Sequence, residues 1–163
     1  MVSGEMVVFR EIKEEDNEII AKIIRANLKE KALDIPGTVY FDKNLDCLSD
    51  FYLNDENAYY CIFEVDGVVS GGVGLAAFEG IDGAAELQKL YLTNEVKGNG
   101  YGKDLINHIE EKARSMGFSS MYLETHSNLD VAIKLYERMG YEKIGRPSCV
   151  NHSTMDTFFI KSL

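Results

Sequence analysis

Val96-Lys97-Gly98-Asn99-Gly100-Tyr101-Gly102-Lys103 governs the reading of the whole chain. It joins a strand-like segment, Ala84 to Leu92, to a helix-like one, Lys103 to Met116. A helix start presents unpaired N–H groups and a partial positive charge. Glycines tolerate positive φ and let the backbone approach an anion. Together these make a cradle for phosphate, and Lys97 and Lys103 add mobile positive charge. A flexible glycine-rich connector with no ligand fits the loop equally well when the loop is read alone.

Spacing narrows the choice of phosphate ligand. A Walker A loop needs G-x-x-x-x-G-K followed by Ser or Thr, but Gly98 and Gly102 are one residue too close and Asp104 stands where Mg²⁺ needs a hydroxyl. A Rossmann loop needs G-x-G-x-x-G directly after a strand. Here the order is G-x-G-x-G, several residues beyond Leu92.

Upstream, Met6 to Ile12 reads as a strand and Glu14 to Lys31 as a helix, with Ile19, Ile20, Ile23, Ile24 and Leu28 at helical spacing. Asp34-Ile35-Pro36-Gly37 breaks the chain, and Lys43 to Leu53 reads as a short helix. Ala58 to Val65 and Val68 to Phe78 flank the hairpin signal Asp66-Gly67, and Ile81-Asp82-Gly83 turns the chain into Ala84 to Leu92. This is an antiparallel meander, which also disagrees with a doubly wound parallel sheet.

Downstream, Leu105, Ile106, Ile109, Ala113 and Met116 mark one helix face, and Gly117 ends that helix. Ser119 to Thr125 is a strand, Asn128 to Met139 a helix ended by Gly140, and Tyr141 to Gly145 and Thr154 to Ile160 are strands. The order β-α-α-β-β-β-α-β-α-β-β describes an α+β fold with a mixed sheet, expected as a single domain over residues 1–163.

The 163 residues carry a formal net charge of -10, with 45% hydrophobic and 27% charged side chains. That balance argues against a nucleic-acid binder and leans weakly toward a cationic small substrate. No stretch approaches the length of a membrane span, and the N-terminus lacks a signal-peptide pattern. Cys47, Cys61 and Cys149 are scattered and odd in number, which suits a reducing compartment, so the cytoplasm is expected. His108, His126 and His152 are dispersed without ligand spacing, and no metal is expected.

At this point the chain resembles the GNAT superfamily of N-acetyltransferases. That family's motif, Arg or Gln-x-x-Gly-x-Gly or Ala, is similar to Lys97-Gly98-Asn99-Gly100-Tyr101-Gly102, with Lys97 in the first place. Lysine keeps the charge there and loses the planar hydrogen-bonding geometry. Leu90-Tyr91-Leu92 resembles the end of the family's fourth strand. Tyr122-Leu123-Glu124-Thr125, Asn128, and Ala132 through Tyr141 resemble its second signature, which ends L-Y-x-x-x-G-[FY] and reads here Leu135-Tyr136-Glu137-Arg138-Met139-Gly140-Tyr141. The likeness covers about Ala58 to Gly145, and the first 57 residues match only in element order.

The resemblance implies a sheet splayed between its fourth and fifth strands, with acetyl-coenzyme A in the gap. It implies that the backbone of Leu90, Tyr91 and Leu92 pairs with the pantetheine arm as an added strand would. It also implies that the N–H groups of Gly98 through Lys103 hold the pyrophosphate, that Asn128 touches pantetheine and that Lys134 reaches toward the adenosine end, although a solvated helix lysine is the simpler reading. Homodimers are frequent in the family.

Acyl transfer to an amine needs a base for the amine and a proton for the departing thiolate. By the resemblance Tyr136 is the candidate acid, against the alternative of a packing tyrosine. Glu86 has the register of the catalytic glutamate in the histone-acetylating branch, and alternation puts Glu86, Gln88, Leu90 and Leu92 on one face. Glu124, on the neighbouring strand, is the second candidate base. His126 after that strand is a weaker candidate, and His108 falls on the exposed side of its helix. Tyr40, Phe41 and Asp42 are candidate walls of the acceptor site, or simply an anchored surface loop. The expected activity is transfer of an acetyl group to a primary amine, on a small molecule such as a polyamine or amino acid rather than a protein. A sensing module that binds acyl-coenzyme A without turnover is the alternative.

Overall fold

The computed structural model describes residues 5–150 and 153–163. Strand β1 (Val7–Glu11) leads through a 3-10 turn, Glu14–Asp16, into α1 (Asn17–Glu30). Further 3-10 turns at Val39–Phe41 and Leu45–Cys47 precede α2 (Leu48–Tyr52). Then follow β2 (Tyr59–Val65), β3 (Val68–Phe78), β4 (Ala84–Leu92), α3 (Tyr101–Ser115), β5 (Ser120–Thr125), α4 (Asp130–Arg138), β6 (Glu142–Ile144) and β7 (Thr157–Ser162). The strands form one sheet in the order β1-β2-β3-β4-β5-β7-β6. β4 and β5 run parallel and the other pairings are antiparallel.

Local chemistry explains the turns. Asp66 and Gly67 take φ of 51° and 82°, the left-handed pair that suits a tight hairpin with twisted strands. The glycines of β3 make room for aromatic rings. A Cβ on Gly72 would lie 2.5 Å from the ring of Tyr60, which is fully buried, and one on Gly74 would lie 2.6 Å from it.

Both faces of the sheet are covered. On one, Leu105, Ile106, Ile109 and Ala113 of α3 and Tyr136 of α4 join Phe63, Leu75, Leu87 and Met121 in one core. On the other, Ile20, Ile24 and Leu28 of α1 and Leu48 and Tyr52 of α2 cover Tyr60 and Ile62. Full burial of each such aliphatic side chain contributes about 1.5–3 kcal/mol. Arg10 of β1 clamps the start of α1, giving two bonds of 2.8 Å to the Asp16 carboxylate while its Nε meets Glu64 at 2.6 Å.

Several boundaries differ from the sequence reading. Helix α3 starts at Tyr101 rather than Lys103, because Gly100, with φ of 81°, serves as its N-cap. Only Leu48–Tyr52 of the expected Lys43 to Leu53 helix is α-helical. Ile19 is 40% exposed, since the buried face of α1 is Ile20, Ala21, Ile23, Ile24 and Leu28. His108 is not on an open face: its ring stacks on Phe9 at 5.0 Å, because β1 runs beneath that part of α3. His152 lies outside the described residues.

Candidate active site

Parallel pairing of β4 with β5 is short. It joins Ala84 to Ser120, Ala85 to Met121 and Glu86 to Tyr122, and then stops. Both strands continue, to Leu92 and to Thr125, without a partner across the gap. The β5-facing main-chain groups of β4 beyond Glu86 are therefore left without a strand to bond. A cleft of about 940 Å³ opens there.

A bulge re-aims the residues of β4 along this cleft. Gly74 faces Gln88 while Gly72 faces Tyr91, so β4 holds one residue more than β3 over the same span. The extra residue coincides with Lys89, whose φ is 52°. Such an insertion breaks the alternation of side chains. The expectation that Glu86, Gln88, Leu90 and Leu92 share a face is thus corrected. Gln88 accepts a 2.5 Å hydrogen bond from the Tyr52 hydroxyl on the α1/α2 side, whereas Leu90 and Leu92 pack into the α3 core and Tyr91 turns to the α1 side.

At the far end of the cleft lies the glycine bend. Gly98 and Gly100 both have positive φ, 82° and 81°. A Cβ on either would meet no atom within 4 Å, so the space above the bend is open. The first helical acceptor, Gly100 O, takes the N–H of Asp104 at 3.4 Å. The N–H groups of Tyr101, Gly102 and Lys103 precede it and find no acceptor among the described residues. Gly102 lets α4 come close, since a Cβ there would lie 2.9 Å from Leu135. Lys97 Nζ donates to Asn27 Oδ1 at 2.7 Å, and Asn27 Nδ2 donates to Leu92 O at 2.9 Å. Helix α1 thereby ties the bend to the end of β4.

At the fork of the strands are the carboxylates. Burial pushes the Glu86 carboxyl up from its ordinary value, against a 3.0 Å hydrogen bond from Gln88 Nε2, and the neighbouring charge of Glu124 pushes it further. Glu124 accepts from the Tyr122 hydroxyl at 2.9 Å and from Ser153 Oγ at 3.2 Å. Tyr136 of α4 is 6% exposed and lines the same cleft. Burial, and then Tyr91, hold its phenol far above the ordinary range, so it keeps its proton at any physiological pH. Burial lowers the Lys89 ammonium, while Asp42 and Glu86 oppose that.

Of the residues singled out from the sequence, Glu86, Glu124 and Tyr136 border this cleft together with Leu90, Tyr91, Leu92, Lys97, Gly98, Gly100, Tyr101, Gly102, Lys103, Phe41 and Asp42. Others do not face it. Asn128 is exposed and donates its amide to Lys31 O at 3.0 Å. Lys134 is exposed on α4, Asn99 turns its amide back to Val96 O at 3.0 Å, and the Tyr40 ring packs against Phe41. His126 accepts the Asn128 N–H with Nδ1 and lies 3.8 Å from Asp156. The Tyr101 ring packs on Phe63 and its hydroxyl donates to Glu5, leaving its backbone to the bend. Sequence reasoning passed over Asn27, Tyr52, Lys89 and Arg138, which also belong to this region. Asn27, Tyr52 and Lys89 lie outside the quoted motifs, and Arg138 falls at a variable position of the second signature. Among the described residues no three His, Cys, Asp or Glu side chains converge on a metal site.

A sheet that forks beyond one parallel pairing, with a glycine bend and a helix start at the mouth of the fork, is the architecture of the acyl-coenzyme A N-acyltransferase fold. The sequence model of the acetyltransferase (GNAT) family matches residues 25–141. The chain is 35% identical to the uncharacterized N-acetyltransferase YjgM of Escherichia coli (strain K12), over 99% of this chain and 98% of that one. It superposes on an acetyltransferase of the GNAT family from Staphylococcus aureus Mu50 with a TM-score of 0.84 at 18% identity, covering 97% and 99% of the two chains. It superposes on the PaiA N-acetyltransferase of Thermoplasma acidophilum, solved in complex with coenzyme A, with a TM-score of 0.77 at 18% identity and 97% and 99% coverage. The chain belongs to the acetyltransferase (GNAT) family. It is an enzyme of the N-acetyltransferase type.

Proposed function

We propose that this chain transfers the acetyl group of acetyl-coenzyme A to a primary amine of a small molecule. The single observation that carries the reading is the position of Glu86. It closes the last β4–β5 pair, at the inner end of a cleft whose outer end is the open bend at Gly98 and Gly100.

The residues present suit coenzyme A. Three N–H groups at the start of α3, unpaired among the described residues, and the lysines Lys97 and Lys103 would offer phosphates a positive potential. Arg138 adds a further cation along the same wall. The unpartnered β4 edge suits an extended amide-bearing arm. When bound, acetyl-coenzyme A supplies the activated acetyl thioester.

The protein's own groups handle the protons. Glu86 takes one from the acceptor ammonium, directly or through a water, which its raised affinity for protons favours. Glu124 beside it adds negative charge that holds the ammonium in place. Tyr136 donates its phenolic proton to the leaving sulfur, for which a neutral phenol is required. Phe41 and Asp42 wall the acceptor end of the cleft. The reading takes the chain as one domain working in the cytoplasm, in keeping with the free thiols of Cys47, Cys61 and Cys149. Among the described residues no helix is long and apolar enough to cross a membrane.

A thermal-shift titration with acetyl-coenzyme A, with ATP and NAD as controls, tests the first half, and release of free coenzyme A thiol with an amine panel tests the second. Selective stabilisation with turnover supports the reading. Stabilisation by ATP alone overturns it, and stabilisation by acetyl-coenzyme A without turnover of any amine points to a sensing module.

A further inference from the structure

Lys89 has no role in the chemistry described so far, yet its backbone is unusual. It is one of three non-glycine residues with positive φ among the described residues. That conformation is strained for a side chain with a Cβ. The bulge places Gln88 and Lys89 in succession toward the α1/α2 side of the cleft, where strict alternation would send one of them into the α3 core.

Among the described residues, the Lys89 ammonium stands in this polar end of the cleft without an ionic partner. Its Nζ lies 5.9 Å from the centre of the Tyr52 ring, and among the described residues no carboxylate comes within ion-pair distance. Asp42 and Glu86 act on it only from farther away. A partly desolvated cation with no anion is unfavourable unless a ligand supplies one. Two carboxylates, Glu86 and Glu124, stand at the same end and suit the ammonium of an acceptor.

We propose that Lys89 binds a carboxylate of the acceptor, so that the substrate is an amino acid, carrying amine and carboxylate in one small molecule. The inference rests on the transferase reading above. In a diamine or polyamine a second ammonium would stand against Lys89, which discriminates against that class.

The test compares free amino acids with their carboxamides, and with a diamine series, in wild type, Lys89→Met and Lys89→Arg. The readouts are coenzyme A thiol release, thermal shift with each acceptor in the presence of coenzyme A, and thermal shift with acetyl-coenzyme A alone. In wild type at least one free amino acid is expected to exceed its carboxamide in kcat/KM by about 10- to 100-fold, the scale of a charged hydrogen bond. Lys89→Met collapses that ratio toward one, chiefly through KM. Lys89→Arg restores part of it, and both variants keep the acetyl-coenzyme A shift. Carboxamides or diamines used as well as free amino acids, a preference that survives Lys89→Met, or neither turnover nor binding across the amino acids would each overturn the proposal. Loss of the acetyl-coenzyme A shift in wild type sinks the transferase reading instead.

Discussion

Glu86 stands opposite Tyr122 in the last register pair that joins β4 to β5. Beyond that pair the strands have no mutual hydrogen bonds, so the carboxylate sits where the sheet changes from a continuous wall to an open fork. Tyr122 in turn gives its hydroxyl to Glu124. The two acidic side chains nearest the fork are therefore held by the same pair of strands that creates it. One is pushed toward its protonated form by burial and by the other's charge.

Glu86→Gln is expected to lower kcat/KM by about 100-fold, the usual contribution of a positioned base. The base acts when ionised, so wild-type activity falls as pH drops through its raised pKa, and the acid limb is displaced upward from the ordinary glutamate value. pH–rate profiles of wild type, Glu86→Gln and Glu124→Gln decide the assignment. An unchanged acid limb in Glu86→Gln would transfer the role to Glu124.

Tyr136→Phe is expected to reduce kcat by about 100-fold and to leave acetyl-coenzyme A affinity nearly unchanged, because the ring and its packing against Tyr141 and Phe159 remain. Since burial raises the phenol, no alkaline limb in wild type arises from Tyr136 within the ordinary tyrosine range. Steady-state kinetics beside calorimetric titration of the cofactor measure both. Equal turnover in the two proteins removes Tyr136 from the mechanism.

Gly100→Asp places a side chain and a negative charge in the open space above the bend, at a φ of 81°. Loss of measurable acetyl-coenzyme A binding is expected, with the fold retained by circular dichroism. Gly100→Ala serves as the control for backbone strain alone, which costs about 1 kcal/mol. Wild-type affinity in Gly100→Asp would mean that the phosphates sit elsewhere.

Asp16 is 3% exposed and grips Arg10 through both oxygens at 2.8 Å. Burial opposes its ionised form, but the Arg10 hydrogen bonds and the Lys13 N–H prevail and hold its pKa below the ordinary value. A depressed carboxylate contributes stability that is present above its unfolded pKa and is lost as pH falls through the folded one. Asp16→Asn should therefore cost about 2 kcal/mol at pH 7, and the difference from wild type should shrink toward pH 3. Urea denaturation at both pH values checks this. A difference independent of pH would show that the carboxylate's charge is immaterial.

Much of the architecture was legible because it is recorded locally. Asp66-Gly67 marks a turn wherever it occurs between alternating segments. The stripe Leu105, Ile106, Ile109 and Ala113 is a helix face before any partner is known, and all four residues are buried. The glycine bend was readable for the same reason, and Gly98 and Gly100 both take the positive φ for which glycine is suited. The side chains around that bend were less legible. Lys97 reaches Asn27, seventy residues away in the chain, and Asn128 spends its amide on Lys31 rather than facing the cleft.

The sequence by itself determined the element order, the mixed sheet and the glycine bend, because turn chemistry and hydrophobic period act within a few residues. Only the tertiary structure decided which side chains share the cleft. Nothing in Gln88-Lys89-Leu90 announces a bulge, since a positive φ at lysine is unfavourable on its own. It arises because β4 must keep register with β3 on both sides of the irregularity, from Phe78–Ala84 to Gly71–Leu92. That insertion separates Glu86 and Gln88 from Leu90 and Leu92, and sets Lys89 beside Tyr52. It depends on the balance of contacts between distant segments, which no local pattern encodes.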